Sequence, residues 1–272
     1  MAYSDGKIAV VTGAGSGIGR ALAQQLNREG CALYLSDINP DTLQDTLASL
    51  SRPELRVDAR TLDVADRAAM LQWVQDIETA EGYVDIVINN AGVALMARVD
   101  EMRLEDLEWL MSINFWGVVY GTQGFLPLLR KAQQGHLVNI SSVFGMIGVP
   151  TQSAYNAAKF AVRGYTEALR QEMQSTNVHV CCVHPGGVKT NIAGASRGGD
   201  SSLTAEDRSQ AFHRVARTTS ESAAAQIIRA IEKRKKRLML GWDAKLISVL
   251  SRLMPVSYTR LIPASPEQQV NR

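Results

Sequence analysis

Lys7-Ile8-Ala9-Val10-Val11-Thr12-Gly13-Ala14-Gly15-Ser16-Gly17-Ile18-Gly19 is the stretch from which the rest of this chain can be read. A β-branched apolar run that breaks into glycines has the composition of a parallel strand buried on both faces. From Arg20 to Glu29, apolar residues recur at helical spacing (Ala21, Leu22, Leu26), and the run closes at Gly30, a C-cap residue. Strand, glycine turn and helix together are what a phosphate-binding loop requires. Glycine lets the backbone approach a pyrophosphate closely, and the free N–H groups of a helix start attract its charge. The spacing is G-x-x-x-G-x-G (Gly13, Gly17, Gly19), which differs from the commoner G-x-G-x-x-G fingerprint, and a plain glycine turn is the alternative.

Downstream, Cys31 to Ser36 reads as a second strand ending at Asp37. An acid about 20 residues past the glycines suits a hydrogen bond to a ribose 2′-hydroxyl and would repel a 2′-phosphate. No Arg or Lys stands at Ile38 or Asn39, and Ser16 is uncharged, so NAD is favoured over NADP; Asp37 as a turn or cap residue is the competing reading. A helix follows over Leu43 to Leu50, then a third strand over Arg56 to Leu62. It ends at Asp63-Val64, where a carboxylate beside an apolar side chain could meet an adenine; Asp63 could equally be the N-cap of the next helix, Arg67 to Thr79. The fourth strand, Val84 to Ile88, ends in Asn89-Asn90-Ala91-Gly92, whose amides are expected chiefly to tie neighbouring backbones together.

Leu104 to Lys131 is a long, largely apolar helical stretch with Asn114 between Ile113 and Phe115. A buried amide there needs partners: it is either a satisfied core group or part of a helix kink holding a water beside an active site. The fifth strand, His136 to Ile140, leads to Ser141-Ser142, and the loop 143–150 could fold back to set the Ser142 hydroxyl near Tyr155. The sixth strand, Val178 to Val183, precedes His184-Pro185-Gly186-Gly187-Val188-Lys189-Thr190. Gly186, Gly187 and Thr190 could present backbone and hydroxyl groups to a carboxamide, and His184 reads as a satisfied strand-end histidine. Leu238-Met239-Leu240 is the last strand.

Tyr155-Asn156-Ala157-Ala158-Lys159 reads as the start of a helix with the tyrosine and lysine on one face. An ammonium beside a phenol favours the phenolate, so Lys159 is expected to lower a Tyr155 pKa that starts near ~10 and to fit it for proton exchange.

With 272 residues, 46% of them apolar, the chain can bury one sizeable core, and its net charge of +2 gives no electrostatic reason to expect nucleic acid. Cys31, Cys181 and Cys182 show no paired spacing and read as reduced core thiols. The N-terminus has no signal-peptide pattern and no apolar stretch is long enough to span a bilayer, so a cytoplasmic location is expected. No metal-ligand spacing is present. The Gly/Ser-rich stretch 191–202 and the helical 204–217 make a substrate flap over 191–217. Lys233-Arg234-Lys235-Lys236-Arg237 reads as a solvated helix end. In the C-terminal extension, 238–272, a stripe of Leu246, Ile247, Leu250, Leu253 and Met254 is expected to pack on the core. Closing a pocket, joining subunits and lying on a membrane surface rank after that, in that order.

Taken together these residues resemble the short-chain dehydrogenase/reductase family. Thr12 to Gly19 matches its T-G-x-x-x-G-x-G loop, Asn89-Asn90-Ala91-Gly92 its N-N-A-G, and Pro185-Gly186 its nicotinamide-flanking segment; Asn114, Ser142, Tyr155 and Lys159 fall at its catalytic tetrad. The likeness runs from about residue 5 to 192 and stops in the tail after Lys233. It implies an α/β fold: one Rossmann-type, doubly wound domain over 1–272, with a seven-stranded parallel sheet and helices on both faces. Cofactor contacts are implied at Gly13, Ser16, Gly17, Ile18, Gly19, Asp37, Asp63, Val64, Asn90, Ala91, Gly92, Tyr155, Lys159, Pro185, Gly186, Val188 and Thr190. Tyr155 would be the acid or base, Lys159 would tune it and hold ribose hydroxyls, Ser142 would bind the substrate oxygen, and Asn114 would hold a water that links Lys159 to solvent. The implied activity is NAD(H)-dependent interconversion of a secondary alcohol and a ketone, in a homodimer or homotetramer. Apolar candidate walls at 94–96 and 144–147 suggest a hydrophobic substrate such as a steroid, a lipid-like alcohol or a diketone. An NADP-dependent carbonyl reductase, a dinucleotide-dependent epimerase or dehydratase, and a non-catalytic NAD sensor or membrane-surface scaffold are the other readings. The intact Ser142, Tyr155 and Lys159 count against a non-catalytic role.

Overall fold

The computed structural model describes residues 2–198 and 204–260. Seven parallel strands form its centre: β1 (Ile8–Thr12), β2 (Ala32–Asp37), β3 (Val57–Thr61), β4 (Ile86–Asn89), β6 (Gly135–Ile140), β7 (Val178–Pro185) and β9 (Arg237–Leu240), in the order β3-β2-β1-β4-β6-β7-β9. Alternation within the strands decides which face each residue serves. Ala9, Val11, Leu33, Leu35, Ile86 and Ile88 point to one face, where they meet Leu22 and Leu26 of α1 (Gly17–Arg28), Leu43 of α2 (Pro40–Ala48) and Ile227 and Ile231 of α8 (Ser220–Glu232). Ile8, Val10, Tyr34, Val87 and Leu137 point to the other, against Trp73 and Ile77 of α3 (Arg67–Glu81), Phe125 of α5 (Gly117–Lys131) and Leu169 of α6 (Ser153–Glu172). The doubly wound, seven-stranded parallel architecture expected from the sequence is therefore the one observed. All three cysteines are free and buried.

The strand order reverses direction at β1, with β2 on one side and β4 on the other. In such sheets the crevice at the carboxyl ends beside the switch point is where a ligand fits. The glycine loop after β1 and the Asn89-Asn90 corner after β4 both open there.

Several details were not foreseen. The long stretch 104–131 is interrupted: α4 (Leu104–Met111) and α5 are joined by a π-helical turn, Ser112–Trp116, in which the Gly117 N–H donates to the Ser112 carbonyl. Such turns re-aim a side chain inside a helix, and Asn114 sits in this one. Beyond it, Gly121 lets α5 lie directly on the end of β4, since a Cβ there would run into the Asn89 amide. A second, two-stranded sheet pairs β5 (Leu95–Met96) with β8 (Arg197–Gly198), and so joins the two segments expected to wall the substrate. Asp66, rather than Asp63, caps α3, through the Ala69 N–H at 3.0 Å. The flap contains α7 (Ala205–Val215), while its 199–203 portion and the tail beyond 260 lie outside the described residues. The tail forms α9 (Trp242–Leu253). No helix among the described residues is long and apolar enough to cross a membrane.

Candidate active site

Asn114, Ser142, Tyr155 and Lys159 come from three separate parts of the chain and converge at the carboxyl edge of the sheet. Asn114, Ser142 and Lys159 are each held by backbone. The Asn114 amide accepts from Val93 N–H and donates to Val93 C=O, both at 2.8 Å, so the side chain that leaves the π-turn stitches it to the strand that follows Gly92. A Cβ on Gly92 would touch both the Asn114 amide oxygen and the Lys159 ammonium nitrogen, at 3.1 and 3.5 Å. Glycine here leaves that corner to the two polar groups without crowding the Asn114 amide.

Ser142 ends β6 and caps the following 3-10 turn, Val143–Gly145, by accepting from Phe144 N–H at 3.1 Å. Its hydroxyl lies close enough to the Tyr155 phenol to draw that group's pKa down, so the loop folds back toward Tyr155. Phe144 meets the Tyr155 ring edge-on at 6.1 Å between centroids. His184 donates from Nδ1–H to the Ser142 carbonyl, 3.1 Å away, and burial holds its pKa down at about 4. It is a neutral strand-end histidine that supports the serine from behind.

Tyr155 and Lys159 do share a face of α6, with the ammonium 5.6 Å from the Tyr155 ring centroid. The expected electrostatic effect is not what the structure shows. The lysine, only 3% exposed, donates to the Ile140 carbonyl at 3.1 Å, and burial lowers its pKa to about 8. Burial likewise pushes the Tyr155 phenol up to about 12, against a smaller downward pull from the Ser142 hydroxyl. Taking a phenolate out of water costs more than this arrangement returns, because the ammonium faces the ring and a carbonyl.

The glycine loop has the geometry of a phosphate-binding turn: a strand end, glycines at positive φ and the start of a helix. Ser16 stands at the N-cap of α1 in an extended conformation and makes no side-chain capping bond, which leaves the first-turn N–H groups without a protein acceptor from that side chain. Gly17 has φ +51° and packs against Thr190, so Ile18 and Gly19 begin the helix directly under the crevice. Gly13 also has positive φ, and a Cβ on it would press on the Ala91 backbone at 2.7 Å. Asn90 donates to the Thr12 and Gly13 carbonyls at 2.9 and 3.1 Å, while the Asn90 and Ala91 N–H groups donate to the Thr12 hydroxyl. These residues are thus a backbone clamp, as expected for the paired amides. At the end of β2 the Asp37 carboxylate accepts from Gly15 N–H at 2.8 Å and Asn39 N–H at 3.0 Å. Asp63 is exposed and Val64 buried at the end of β3. Pro185 closes β7; Gly186 N–H donates to Leu240, and Val188 is buried and bridged to Thr218.

Two supporting residues escaped the sequence reading. Asn156, inside the Tyr155–Lys159 segment, donates to the Phe144 and Ile147 carbonyls, both at 2.8 Å, and accepts from Val149 N–H at 3.0 Å. The signal was available: the loop 143–150 contains no polar side chain and cannot satisfy its own backbone. Asp243, in the first turn of α9, accepts from Gly187 N–H at 2.7 Å, and its carboxylate fills the space a Cβ on Gly186 would need. No motif marks that acid.

The sequence model of the short chain dehydrogenase family matches residues 7–200. Over 271 residues the chain is 46% identical to SadH of Mycobacterium tuberculosis, a protein named for oxidoreductase activity, and the match covers 97% of this chain and 96% of that one. It is 36% identical over 186 residues to the 3-ketodihydrosphingosine reductase of Bacteroides thetaiotaomicron, covering 68% of this chain and 65% of the relative. Among solved structures, a short-chain dehydrogenase/reductase from Burkholderia phymatum in complex with NAD superposes with a TM-score of 0.82 at 29% identity, over 97% of this chain and 98% of the other.

Proposed function

The chain belongs to the short-chain dehydrogenase/reductase family of oxidoreductases, and from that premise we propose that it interconverts a hydrophobic secondary alcohol and its ketone with NAD(H). The observation that carries the proposal is the convergence of Tyr155, Ser142, Lys159 and Asn114 beside the glycine loop, the last three each with a backbone tether. The nicotinamide, when bound, exchanges hydride with the substrate carbon. Tyr155 moves the proton on the substrate oxygen, as base in oxidation and acid in reduction, and Ser142 holds that oxygen by hydrogen bonding. Lys159 places an ammonium beneath the Tyr155 ring and reaches ribose hydroxyls from the floor of the site. Asn114 positions Lys159 and its route to solvent. General acid–base help of this kind is worth roughly 10²–10⁴-fold.

The dinucleotide would lie over Gly13, Ser16, Gly17, Ile18 and Gly19, with Asp37 at the adenosine ribose, Asp63 and Val64 at the adenine, Asn90 to Gly92 beneath, and Pro185, Gly186, Val188 and Thr190 at the nicotinamide. Preference for NAD rests on Asp37 and on the state of the neighbouring cation. Arg20 is bound to the Gly15 and Thr42 carbonyls and the Thr46 hydroxyl and is not free for a 2′-phosphate. The NAD held by the Burkholderia phymatum structure agrees. An apolar substrate is supported by Leu95, Leu110, Ala154 and Phe144 around Tyr155, and by the long-chain ketone in the name of one relative. Exposed Trp116 and Phe160 support the expected self-association.

The test is a panel of hydrophobic alcohols and ketones with NAD(H) and NADP(H), followed by absorbance of the reduced nicotinamide. Turnover with NAD(H) at least tenfold above NADP(H), and a shift toward NADP(H) in Asp37→Ala, is the expected result. An unchanged ratio in Asp37→Ala would remove the acid from the cofactor site.

A further inference from the structure

Helix α9 is fastened on one side only. Ala244 and Ile247 pack on Val143, Met146 and Met239, and Asp243 turns inward to Gly187. The stripe expected from the sequence to pack on the core is split by this docking. Leu246 (47% exposed) and Leu253 (76%) join Trp242 (55%) and Val249 (53%) on the outer face, followed by Val256 at 83%. Positions 242, 246, 249 and 253 fall within a narrow sector of a helix that advances 100° per residue, so this is one continuous apolar line about 18 Å long.

The charges beside the line are of one sign. Lys245 and Arg252 are exposed on its flank, and Arg217 lies over the Trp242 ring with its guanidinium carbon 5.3 Å from the centroid. Arg237, half-buried at the start of β9, rests against the Met146 sulfur with Arg163 and Arg252 near it; the one carboxylate among its neighbours there, Glu167, is held by Arg163 at 3.1 Å. Exposed Lys233, Arg234, Lys235 and Lys236 precede it directly. Among the described residues, no carboxylate lies within ion-pair distance of Arg217, Lys245 or Arg252. The helix has a single acid, Asp243, and it points into the protein.

We propose that the outer face of α9 docks on an anionic lipid bilayer surface, with Trp242, Leu246, Val249 and Leu253 entering the interface and Lys245, Arg252 and Arg217 meeting headgroup phosphates. An apolar line with a tryptophan at one end and cations along its flank has the pattern of helices that lie in the plane of a membrane. Charge selects this occupant over a second copy of the chain. A two-fold contact repeats the same patch on both partners and would set Lys245 and Arg252 against each other with no exposed acid on the helix to compensate. The proposal is independent of the chemistry at Tyr155.

The test is sedimentation of the full chain with vesicles of phosphatidylcholine containing one third phosphatidylserine, and with vesicles of phosphatidylcholine alone, at physiological salt. The chain should pellet with the anionic vesicles and at least tenfold less with the neutral ones. Two double variants should lose that pelleting: Leu246→Asp with Val249→Asp, which removes the apolar line, and Lys245→Glu with Arg252→Glu, which touches no packed atom. Thermal melting checks that each is folded, and the charge-reversal pair serves alone if the other is not. Three outcomes overturn the proposal: a chain that stays in the supernatant, pelleting that the charge-reversal pair leaves intact, or a dimer that Leu246→Asp splits while no vesicle is bound.

Discussion

Around Tyr155, the side chains of Asn114, Ser142, Asn156 and Lys159 are each tied to backbone, whereas the outer face of α9 carries large apolar side chains with nothing described over them. Asn114 holds Val93 twice, Lys159 holds Ile140, and Asn156 holds three loop positions. On α9, Asp243, Ala244 and Ile247 fasten the inner side and leave Leu246, Val249 and Leu253 facing out. The difference is one of constraint. A buried polar group without a partner costs about 1–3 kcal/mol, so the site must be over-determined to exist at all. An exposed apolar side chain carries no such penalty and imposes no geometry on its neighbours. Substitutions should therefore have large, coupled effects in the first region and small, separable ones in the second.

The largest expected effect is at Lys159. Lys159→Met should cut turnover by ~10²-fold or more without a matching loss of stability. Its folded pKa of about 8 lies below the ordinary 10.5, so the buried ammonium destabilises the fold. By linkage the full cost, a few kcal/mol, is present below pH 8 and fades as pH rises to 10.5, where the unfolded chain also loses the proton. Denaturant unfolding of the two proteins should then show the stability difference moving in favour of the wild type between pH 8 and 10.5. A difference that does not change with pH would mean the lysine is solvated.

Asn156→Ala comes next. It strands two carbonyls and one N–H of the 144–149 loop, and about 2–3 kcal/mol of stability should go with them. Turnover should fall as well, because the same loop aims Ser142. Calorimetry together with initial rates checks this, and a stable but inactive variant would assign Asn156 a more direct part in the chemistry.

Asp243 is the point where the two regions meet. Asp243→Ala removes the acceptor for Gly187 N–H and should raise the cofactor KM by up to about tenfold, with less change in kcat. A drop in kcat alone would contradict a role confined to holding the loop. Smallest of all, Leu246→Ser on the outer face of α9 should change stability by no more than about 0.5 kcal/mol; a larger loss would show that something in the chain covers that face.

The same contrast explains what the sequence made legible. The seven strands, the glycine loop and the Tyr155/Lys159 pair could be read because strand patterning, glycine spacing and helical spacing each leave a local trace, whereas the place of Asn114 and Ser142 beside that pair was implied by the family resemblance. The π-turn at Ser112–Trp116 left none: a polar residue between Ile113 and Phe115 allows either a satisfied core amide or a helix kink, and nothing local chooses between them. Lys159 lowering the Tyr155 pKa was a sound inference from spacing, but spacing does not report burial, and burial dominates in the structure. The face of α9 could not be chosen from hydropathy, since Leu246, Ile247, Leu250 and Leu253 cover both sides of the helix. Which side turns in depends on Ala244, whose small side chain permits close approach to Val143 and Met146, and on Asp243 finding Gly187.

The central claim is that Tyr155 exchanges the proton on the substrate oxygen, and Tyr155→Phe tests it most directly. The substitution removes one hydroxyl and leaves the ring that Phe144 and Lys159 pack against. NADH binding, followed by its fluorescence, should stay within a few-fold of wild type, while turnover of any substrate found in the panel falls by at least ~10². Turnover near the wild-type rate in a variant that binds NADH normally would contradict the account.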